Sequence, residues 1–351
     1  MSTQIPESPP DSTFRPPRCP YPDCAAHTPG SPFPWRRRGT YHRGVDGREV
    51  QRFECKTCGR RFSSQTFRLD YRLKKLHLLP RVLEGLASKV TLRQMARTLG
   101  VRRRLVEHRL GLLAAHCELQ HRHRLGRLAR SGGLEGVFLL DELETYETHR
   151  ILKPVTTAVL IEGKSGLLIH AESAPLPPRR PLSPSLEKRL AEIEAVEGKR
   201  RSGSREAVKH TFEELKRVVP ESGTVSVITD RKSSYKTVLE KLFGDRLKHR
   251  RISSRARRST CNPLFPINHK LAETRDHVSR LVRRTWAASK KRSRLDQHLW
   301  VWIAWRNYVA DWRSEPAWKR ATSAAVRVKA ERRKLSVTEF LCWRDPLVGA
   351  A

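Results

Sequence analysis

Four cysteines near the start of the chain restrict the fold of its first 66 residues more than any other feature does. Cys19 and Cys24 stand in Cys-Pro-Tyr-Pro-Asp-Cys, and Cys55 and Cys58 in Cys-Lys-Thr-Cys-Gly, with thirty residues between the pairs. Two short turns, each able to aim two thiolates at one tetrahedral ion, describe a zinc ribbon. Strand-like Tyr41, Val45, Val50 and Phe53 lie between them. Gly59, directly after the second pair, suits a turn with positive φ. His27 and His42 are alternative ligands, each also readable as a solvated surface residue. So small a unit has little room for a hydrophobic core, and a bound metal would supply most of its folding free energy. Cys117, Cys261 and Cys342 are isolated, and the odd total of seven points to metal ligation in a reducing compartment rather than to a secreted disulfide framework.

Charge narrows the partner. Among 351 residues, 71 are Lys or Arg and 36 Asp or Glu, a formal charge of +35. A charge of this size excludes an ordinary neutral metabolic enzyme as the default and attracts polyanions: nucleic acid first, anionic membrane second. The longest strongly apolar stretch, near Leu299 to Trp305, falls far short of the roughly 20 residues that span a bilayer. Residues 1–18 are polar and Pro-rich with no apolar signal core, and read as a disordered arm. A soluble, intracellular protein is expected. At 38% hydrophobic residues the chain can bury a core, and its length suggests two or three domains.

Beyond the ribbon the hydrophobic period becomes helical, through Leu73, Leu76, Leu79, Val82, Leu83 and Leu86. Thr91 is then a candidate N-cap, with Leu92, Met95, Ala96 and Leu99 on one face. Gly100 allows a sharp turn, and Val101, Leu105, Val106 and Leu110 face back. This pattern reads as helix-turn-helix, with Arg102, Arg103, Arg104 and Arg109 around the second helix as DNA contacts. A helical hairpin with a solvated basic face is the alternative. His121 to Arg130 reads as a basic connector ending at Gly132-Gly133.

From Val137 the pattern turns to strands: Val137 to Asp141, Val155 to Ile161 and Leu167 to His170. Residues 173–204 read as an insertion carrying a helix. A helix over Glu206 to Val219, a buried strand over Thr224 to Asp230 and a helix over Tyr235 to Phe243 follow. That order matches an RNase H-like domain, a mixed sheet flanked by helices. Asp141 interrupts the hydrophobic first strand and Asp230 ends the fourth, which neighbours it in such a sheet. A carboxylate on an apolar strand costs several kcal/mol of desolvation unless paired or metal-bound. Two together fit two-metal phosphoryl transfer, with hard oxygen ligands holding two Mg²⁺ or Mn²⁺ ions. Taken singly, Asp141 also reads as a strand-end acid and Asp230 as a helix N-cap. Glu142 and Glu144 alternate to the other face and read as structural or exposed.

In this order the Cys quartet, the helix-turn-helix, Leu140-Asp141-Glu142, Ile228-Thr229-Asp230 with Tyr235, and the run from Asn268-His-Lys-Leu-Ala-Glu-Thr-Arg275 through Arg280-Leu-Val-Arg-Arg-Thr285 to Ser289-Lys290 resemble bacterial insertion-sequence transposases of the zinc-ribbon DDE type. The resemblance covers roughly residues 19 to 310. It implies DNA strand cleavage at element ends, transfer of the 3′-hydroxyl into target DNA, dependence on Mg²⁺, and a homo-oligomer pairing two ends of double-stranded DNA in the cytoplasm, at the nucleoid. The chain departs from that pattern at the third acid, where the family usually has Glu before the Leu-x-x-x-Arg run and Asn268 stands here. Some branches carry Asn at this place. Glu273 is the alternative; the periodicity sets Asn268 beside the buried stripe and Glu273 on the solvent side. Asn is a weaker, uncharged Mg²⁺ ligand, so catalysis would be slower, draw on His269 or Lys270 as helper, or be lost.

Between Arg246 and Arg294, sixteen Lys or Arg face two acids. Arg250, Arg251, Arg257, Arg258, Arg283 and Arg284 are the expected phosphate contacts there, giving affinity and salt dependence without sequence readout. Trp286, Trp300, Trp302, Trp305 and Trp312 are assigned to the core. The expected organisation is an arm (1–18), a zinc ribbon (19–66), a helix-turn-helix domain (67–131), an RNase H-like α/β catalytic domain (132–313, insertion 173–204) and a tail (314–351) with no readable function. The rival readings are a non-catalytic DNA-binding protein, favoured by Asn268, and a two-metal nuclease.

Overall fold

The computed structural model describes residues 14–253, 255–257, 259–282, 287–311 and 322–348, so Arg258, Arg283, Arg284, Trp286 and Trp312 lie outside the described residues. Contacts divide the chain into two units, one of residues 1–81 with 335–351 and one of residues 82–334.

In the first unit, β1 (Trp35–Arg43), β2 (Arg48–Cys55) and β3 (Arg61–Ser63) form an antiparallel sheet in the order β1-β2-β3. Val45, expected in a strand, lies in the β1–β2 turn and is 51% exposed. Register sets Phe53 opposite Phe62 and Trp35 opposite Cys55, so one face of the sheet is aromatic and carries a cysteine. That face buries Phe53, Phe62 and Phe67 together with Phe14. Phe14 is 5% exposed, which corrects the expected arm: residues 14–18 belong to this unit. The end of the chain belongs to it as well, for Trp343 stacks on Phe14 with centroids 4.9 Å apart and Arg344 N–H donates to Phe67 O at 2.8 Å. Below the sheet, Asp70 accepts hydrogen bonds from Arg43, Arg48, Gln65 and Arg68 at 2.9 to 3.2 Å. Burial opposes ionisation there, and Arg68 with Arg43 outweighs it, so the Asp70 carboxyl stays below the usual range.

The helical segment starts later than its leucines suggest, with α1 at Leu78–Ala87 rather than at Leu73. α2 (Leu92–Thr98) begins at Thr91, whose hydroxyl accepts from Gln94 N–H while the Gln94 side chain accepts from Thr91 N–H. This capping box satisfies two donors that the first turn leaves open. Gly100, at φ +61°, turns the chain into α3 (Arg103–Arg130). α3 is 28 residues long, and the expected connector over His121 to Arg130 is its last part. Its buried stripe of Val106, Leu110, Leu113, Cys117 and His121 recurs at helical spacing.

β4 (Val137–Tyr146), β5 (Pro154–Glu162), β6 (Leu168–Pro175), β7 (Val225–Asp230) and β8 (Leu247–Ile252) make one sheet in the order β6-β5-β4-β7-β8. β5 runs antiparallel to β4 and β6; β7 runs parallel to β4 and β8. The first and fourth strands of the sheet are therefore neighbours, as expected. β8 is a strand that the sequence reading missed: Leu-Lys-His-Arg-Arg-Ile is charged because an edge strand keeps one side in water. α4 (Pro184–Glu197) fills the insertion with only Leu190 buried. α5 (Ser204–Val218) and α6 (Ser233–Phe243) cover one face of the sheet. On the other, α7 (Phe265–His277) and α8 (Arg292–Ala304) bury Ile267, Leu271, Leu299 and Trp302 against Leu139, Leu143 and Val159. Trp300 and Trp305 pack at the edge of that core.

Candidate functional site

Along β4, Leu139, Asp141 and Leu143 share a face because strand side chains alternate. Leu139 and Leu143 are buried beneath α7 and α8, and Asp141 between them is part-exposed. On β7 the alternation sets Ile228 and Asp230 together, with Val227 and Thr229 buried on the other side. The β4–β7 ladder pairs Val137 with Ser226, Phe138 with Val227 and Leu139 with Ile228. Continuing that register by two residues sets Asp141 beside Asp230 on the same face, just past the last paired rung. In an open α/β sheet the crevice beyond the carboxyl ends of parallel strands is where ligands bind.

Each carboxylate is held by backbone. Asp141 Oδ1 accepts from Glu142 N–H at 2.7 Å and Asp230 Oδ1 from Lys232 N–H at 2.9 Å. Tyr235 senses both acids: burial, then the negative charges of Glu142, Asp230 and Asp141, hold its phenol protonated far above the ordinary range. Two carboxylates brought to one end of adjacent strands would repel, and a cation between them would remove the conflict.

Glu142 lies on the opposite face of β4, its side chain 10% exposed. It accepts from Ser204 Oγ at 2.6 Å, Tyr235 OH at 2.7 Å, Thr156 Oγ1 at 3.1 Å and Lys232 Nζ. Burial alone would raise its carboxyl; the Lys232 ammonium and the hydroxyls outweigh that and hold it low. Lys232 also donates to Ser204 Oγ at 2.8 Å, so one network ties β4, α5 and α6 to the residues directly after Asp230. The sequence read Glu142 as structural or exposed, and gave no sign that Lys232 and Ser204 meet it. Glu142→Ala is expected to cost about 2 kcal/mol, because four donors lose their acceptor; a urea midpoint unchanged from wild type would contradict this.

α7 brings Asn268 to the same sheet face as Asp141, beside buried Ile267. Its backbone N–H donates to Leu264 O at 3.0 Å, and its side chain is part-exposed. Glu273 is elsewhere in character. Expected on the solvent side, its side chain is 17% exposed and clamped, one oxygen by Lys270 Nζ and the other by Arg306 Nε, each at 2.5 Å. Both oxygens are engaged, so Glu273 is a poor metal ligand, and Lys270, itself 5% exposed, is committed to it. His269 is exposed on the same helix.

The basic residues divide. Arg102, Arg103 and Arg104 are exposed at the start of α3, beside a cleft of about 850 Å³ lined by Lys89, Arg93, Arg97 and Arg103. Arg109 is 4% exposed, which removes it from the surface expected of it. It lies on the stripe that α3 buries, one residue before Leu110. Arg250 and Arg251 are exposed on β8, as is Arg257 beyond it. At the end of β4, a groove of about 530 Å³ is lined by Glu142, Glu144, Tyr146, Arg150, Arg179 and Arg275.

In the first unit, the Sγ atoms of Cys19, Cys24, Cys55 and Cys58 all lie within 4.8 Å of one another. Cys19 and Cys58 sulfurs are 3.8 Å apart, and those of Cys24 and Cys55 3.9 Å. Those spacings are far beyond a disulfide. They match the roughly 3.8 Å edge of a tetrahedron with metal–sulfur bonds of about 2.3 Å, so the donor set fits zinc. His27 stands outside it, its ring nitrogens meeting Cys19 O at 2.8 Å and Arg18 Nη1 at 2.9 Å. His42 pairs with Glu49 at 3.3 Å on the exposed side. Among the described residues no helix is long and apolar enough to cross a membrane.

No protein-family model matches the chain, and no curated protein does. Among solved structures the chain is similar to the catalytic domain of Mos1 mariner transposase, at 16% identity over 56% of this chain and 90% of that one, TM-score 0.21. It is similar to the Mos1 strand transfer complex at 12% identity, over 65% and 76%, TM-score 0.23. It is similar to the Mos1 mariner paired end complex with Mn at 14% identity, over 64% and 73%, TM-score 0.21. Likenesses at these TM-scores decide nothing about the chain.

Proposed function

We propose that the chain is a DNA transposase of the DDE type, which binds the ends of its element and cuts and joins DNA strands by in-line phosphoryl transfer. The observation that carries this reading is the register of β4 and β7 in a mixed sheet, whose last rung pairs Leu139 with Ile228; continued by two residues, it would set Asp141 beside Asp230. The sheet's strand order supports an RNase H-like assignment. Asp141 and Asp230 would hold two Mg²⁺ or Mn²⁺ ions, with the Asn268 amide as a neutral third ligand. The ions' chemistry is to stabilise charge on the attacking and leaving oxygens. The chain's own part is to fix the two carboxylates by backbone N–H bonds, and to brace the turn after Asp230 through Lys232 and Glu142. The groove lined by Arg150, Arg179 and Arg275 would take the phosphates of the strand being cut.

The net charge of +35 supports a polyanionic partner. Arg102, Arg103 and Arg104 would enter the recognised site, while Arg250, Arg251 and Arg257 would touch phosphates. A homo-oligomer pairing two ends, acting on nucleoid DNA in the cytoplasm, completes the proposal. Asn268 in place of an acid favours the rival, a DNA-binding protein that has lost catalysis.

The experiment is Mg²⁺- or Mn²⁺-dependent cleavage and joining on duplexes carrying the flanking element ends. Asp141→Ala and Asp230→Ala are each expected to lower the rate at least 1,000-fold, an order of magnitude drawn from removing a principal electrostatic group, with duplex binding kept. Cleavage without joining would favour a nuclease. Binding without wild-type cleavage would favour the decayed enzyme, and Asn268→Glu is the variant expected to restore or raise the rate.

A further inference from the structure

We propose that the face of the three-stranded sheet turned away from its aromatic core is a binding surface for the sugar-phosphate backbone of duplex DNA. Register places Arg36 opposite Glu54 on β1 and β2, and Arg61 opposite Glu54 on β3, so all three lie on the side that Phe53 and Phe62 do not occupy. Arg52 shares that side by alternation, and its guanidinium lies 4.9 Å over the Tyr41 ring. Arg38 joins them through Glu54. The result is four exposed guanidiniums on one small sheet face, with a single carboxylate among them.

That carboxylate acts as a fixed post. Glu54 is 8% exposed, and its oxygens receive Arg36 at 2.5 Å, Arg38 at 2.7 Å and, more loosely, Arg61 at 3.7 Å. Arg38 and Arg36 hold its carboxyl down to about 2, so it stays charged at any working pH. It cancels one of the four positive charges and restrains the guanidiniums that flank it, which lowers the side-chain entropy lost when they meet a phosphate. The guanidiniums remain open to solvent: the Arg36, Arg38 and Arg61 side chains are 50%, 37% and 74% exposed. Each presents a planar donor fork suited to phosphate oxygens. The exposed large apolar residues among those described are Val45, Leu119, Val137, Val196 and Phe265, and none is on this face, so it lacks what a membrane-inserting surface needs. A polar, cationic sheet face of this kind fits a backbone and reads no sequence.

The choice of DNA as partner rests on the function proposed above, while the test reads binding alone. The full chain, zinc-loaded, is titrated onto a fluorescent 30-base-pair duplex without element ends, across a range of salt. Arg36→Ala/Arg38→Ala/Arg61→Ala is expected to weaken binding on the order of 100-fold at 0.1 M salt and to reduce the slope of log affinity against log salt by about 2 to 3. The triple Lys variant should keep most of that slope. Arg52→Ala/Arg61→Ala leaves the Arg36–Glu54–Arg38 pairing in place, should keep its bound zinc, and should reduce the slope by about 1 to 2. Cleavage of duplexes carrying element ends is read separately from this binding, so failure of the catalytic reading and failure of this one are separable. Slopes in both alanine variants equal to wild type would overturn the proposal. So would binding to duplex RNA of the same sequence tenfold tighter than to DNA.

Discussion

Replacing Cys55 by serine, or stripping metal with a strong chelator, is expected to unfold residues 14–81 and leave the five-stranded sheet folded. The magnitudes decide this. Structural zinc held by a cysteine quartet contributes about 10 to 16 kcal/mol at neutral pH, whereas a core in so small a unit supplies about 3 to 5 kcal/mol. The aromatic cluster around Phe14, Phe53, Phe62 and Phe67 is larger than the sequence suggested, and still falls short. Three of the four ligands are buried, so thiols without a metal would also lose their strongest partner while staying out of water. Hydrogen exchange read residue by residue is the measurement. Loss of protection in β1 to β3 upon chelation, with release of one zinc per chain, is the expected result. Protection that survives complete removal of zinc would show that the aromatic core suffices and that the quartet is dispensable for folding.

Acid should weaken the second unit well before its carboxylates titrate. His121 is 1% exposed and donates from Nε2 to Ile169 O at 2.9 Å, while its Nδ1 accepts from Tyr308 OH at 2.8 Å. His298 is also 1% exposed, and donates from Nε2 to Leu86 O at 2.8 Å, with Nδ1 buried and unpartnered. Both rings are thus neutral, and burial drives each pKa down to about 4. The unfolded chain, with histidine near 6.5, binds more protons than the folded one between those values. Stability is therefore full above about pH 6.5 and is lost as pH falls towards 4. From pH 7 to pH 5 the loss is about 2 kcal/mol for each ring, or about 4 kcal/mol together. Burial lowers His249 as well, in the same sense. Glu142 and Glu273, held below their ordinary range, contribute only where pH falls further, while burial raises Asp296, which offsets part of the histidine loss as pH falls. Urea midpoints between pH 7 and pH 5 are expected to fall steadily with acid. His298→Gln, which can still donate to Leu86 O and never charges, should remove about half of the slope. A slope equal to wild type in that variant would remove His298 from the account.

How much of the molecule was legible beforehand depended on whether a feature is local. Alternation and apolar runs announced β4, β5 and β7 because a strand buried by a core must be written in its own residues. β8 was not announced, since an edge strand with one wet side can be written as Leu-Lys-His-Arg-Arg-Ile. The helical period located α3 but not its length, because His121 reads as polar until Tyr308 and Ile169 O are seen to satisfy it. Arg109 was expected among the DNA contacts of the second helix, and the helical period set Glu273 on the solvent side. The structure buries one on the packed stripe of α3 and pins the other between Lys270 and Arg306.

By itself the sequence determined the cysteine quartet, the capped α2 with its Gly100 turn, the carboxylates interrupting two apolar strands, and the surplus of positive charge, all of which follow from residue type and spacing over a few turns of chain. Only the tertiary structure decided that β4 and β7 pair in the register that sets Leu139 opposite Ile228, that Lys232 and Ser204 close on Glu142, and that residues 335–348 complete the core of a unit begun at Phe14. These depend on segments tens to hundreds of residues apart. Local periodicity carries no information about which of many compatible partners will be chosen; the choice falls to whichever pairing buries the apolar faces.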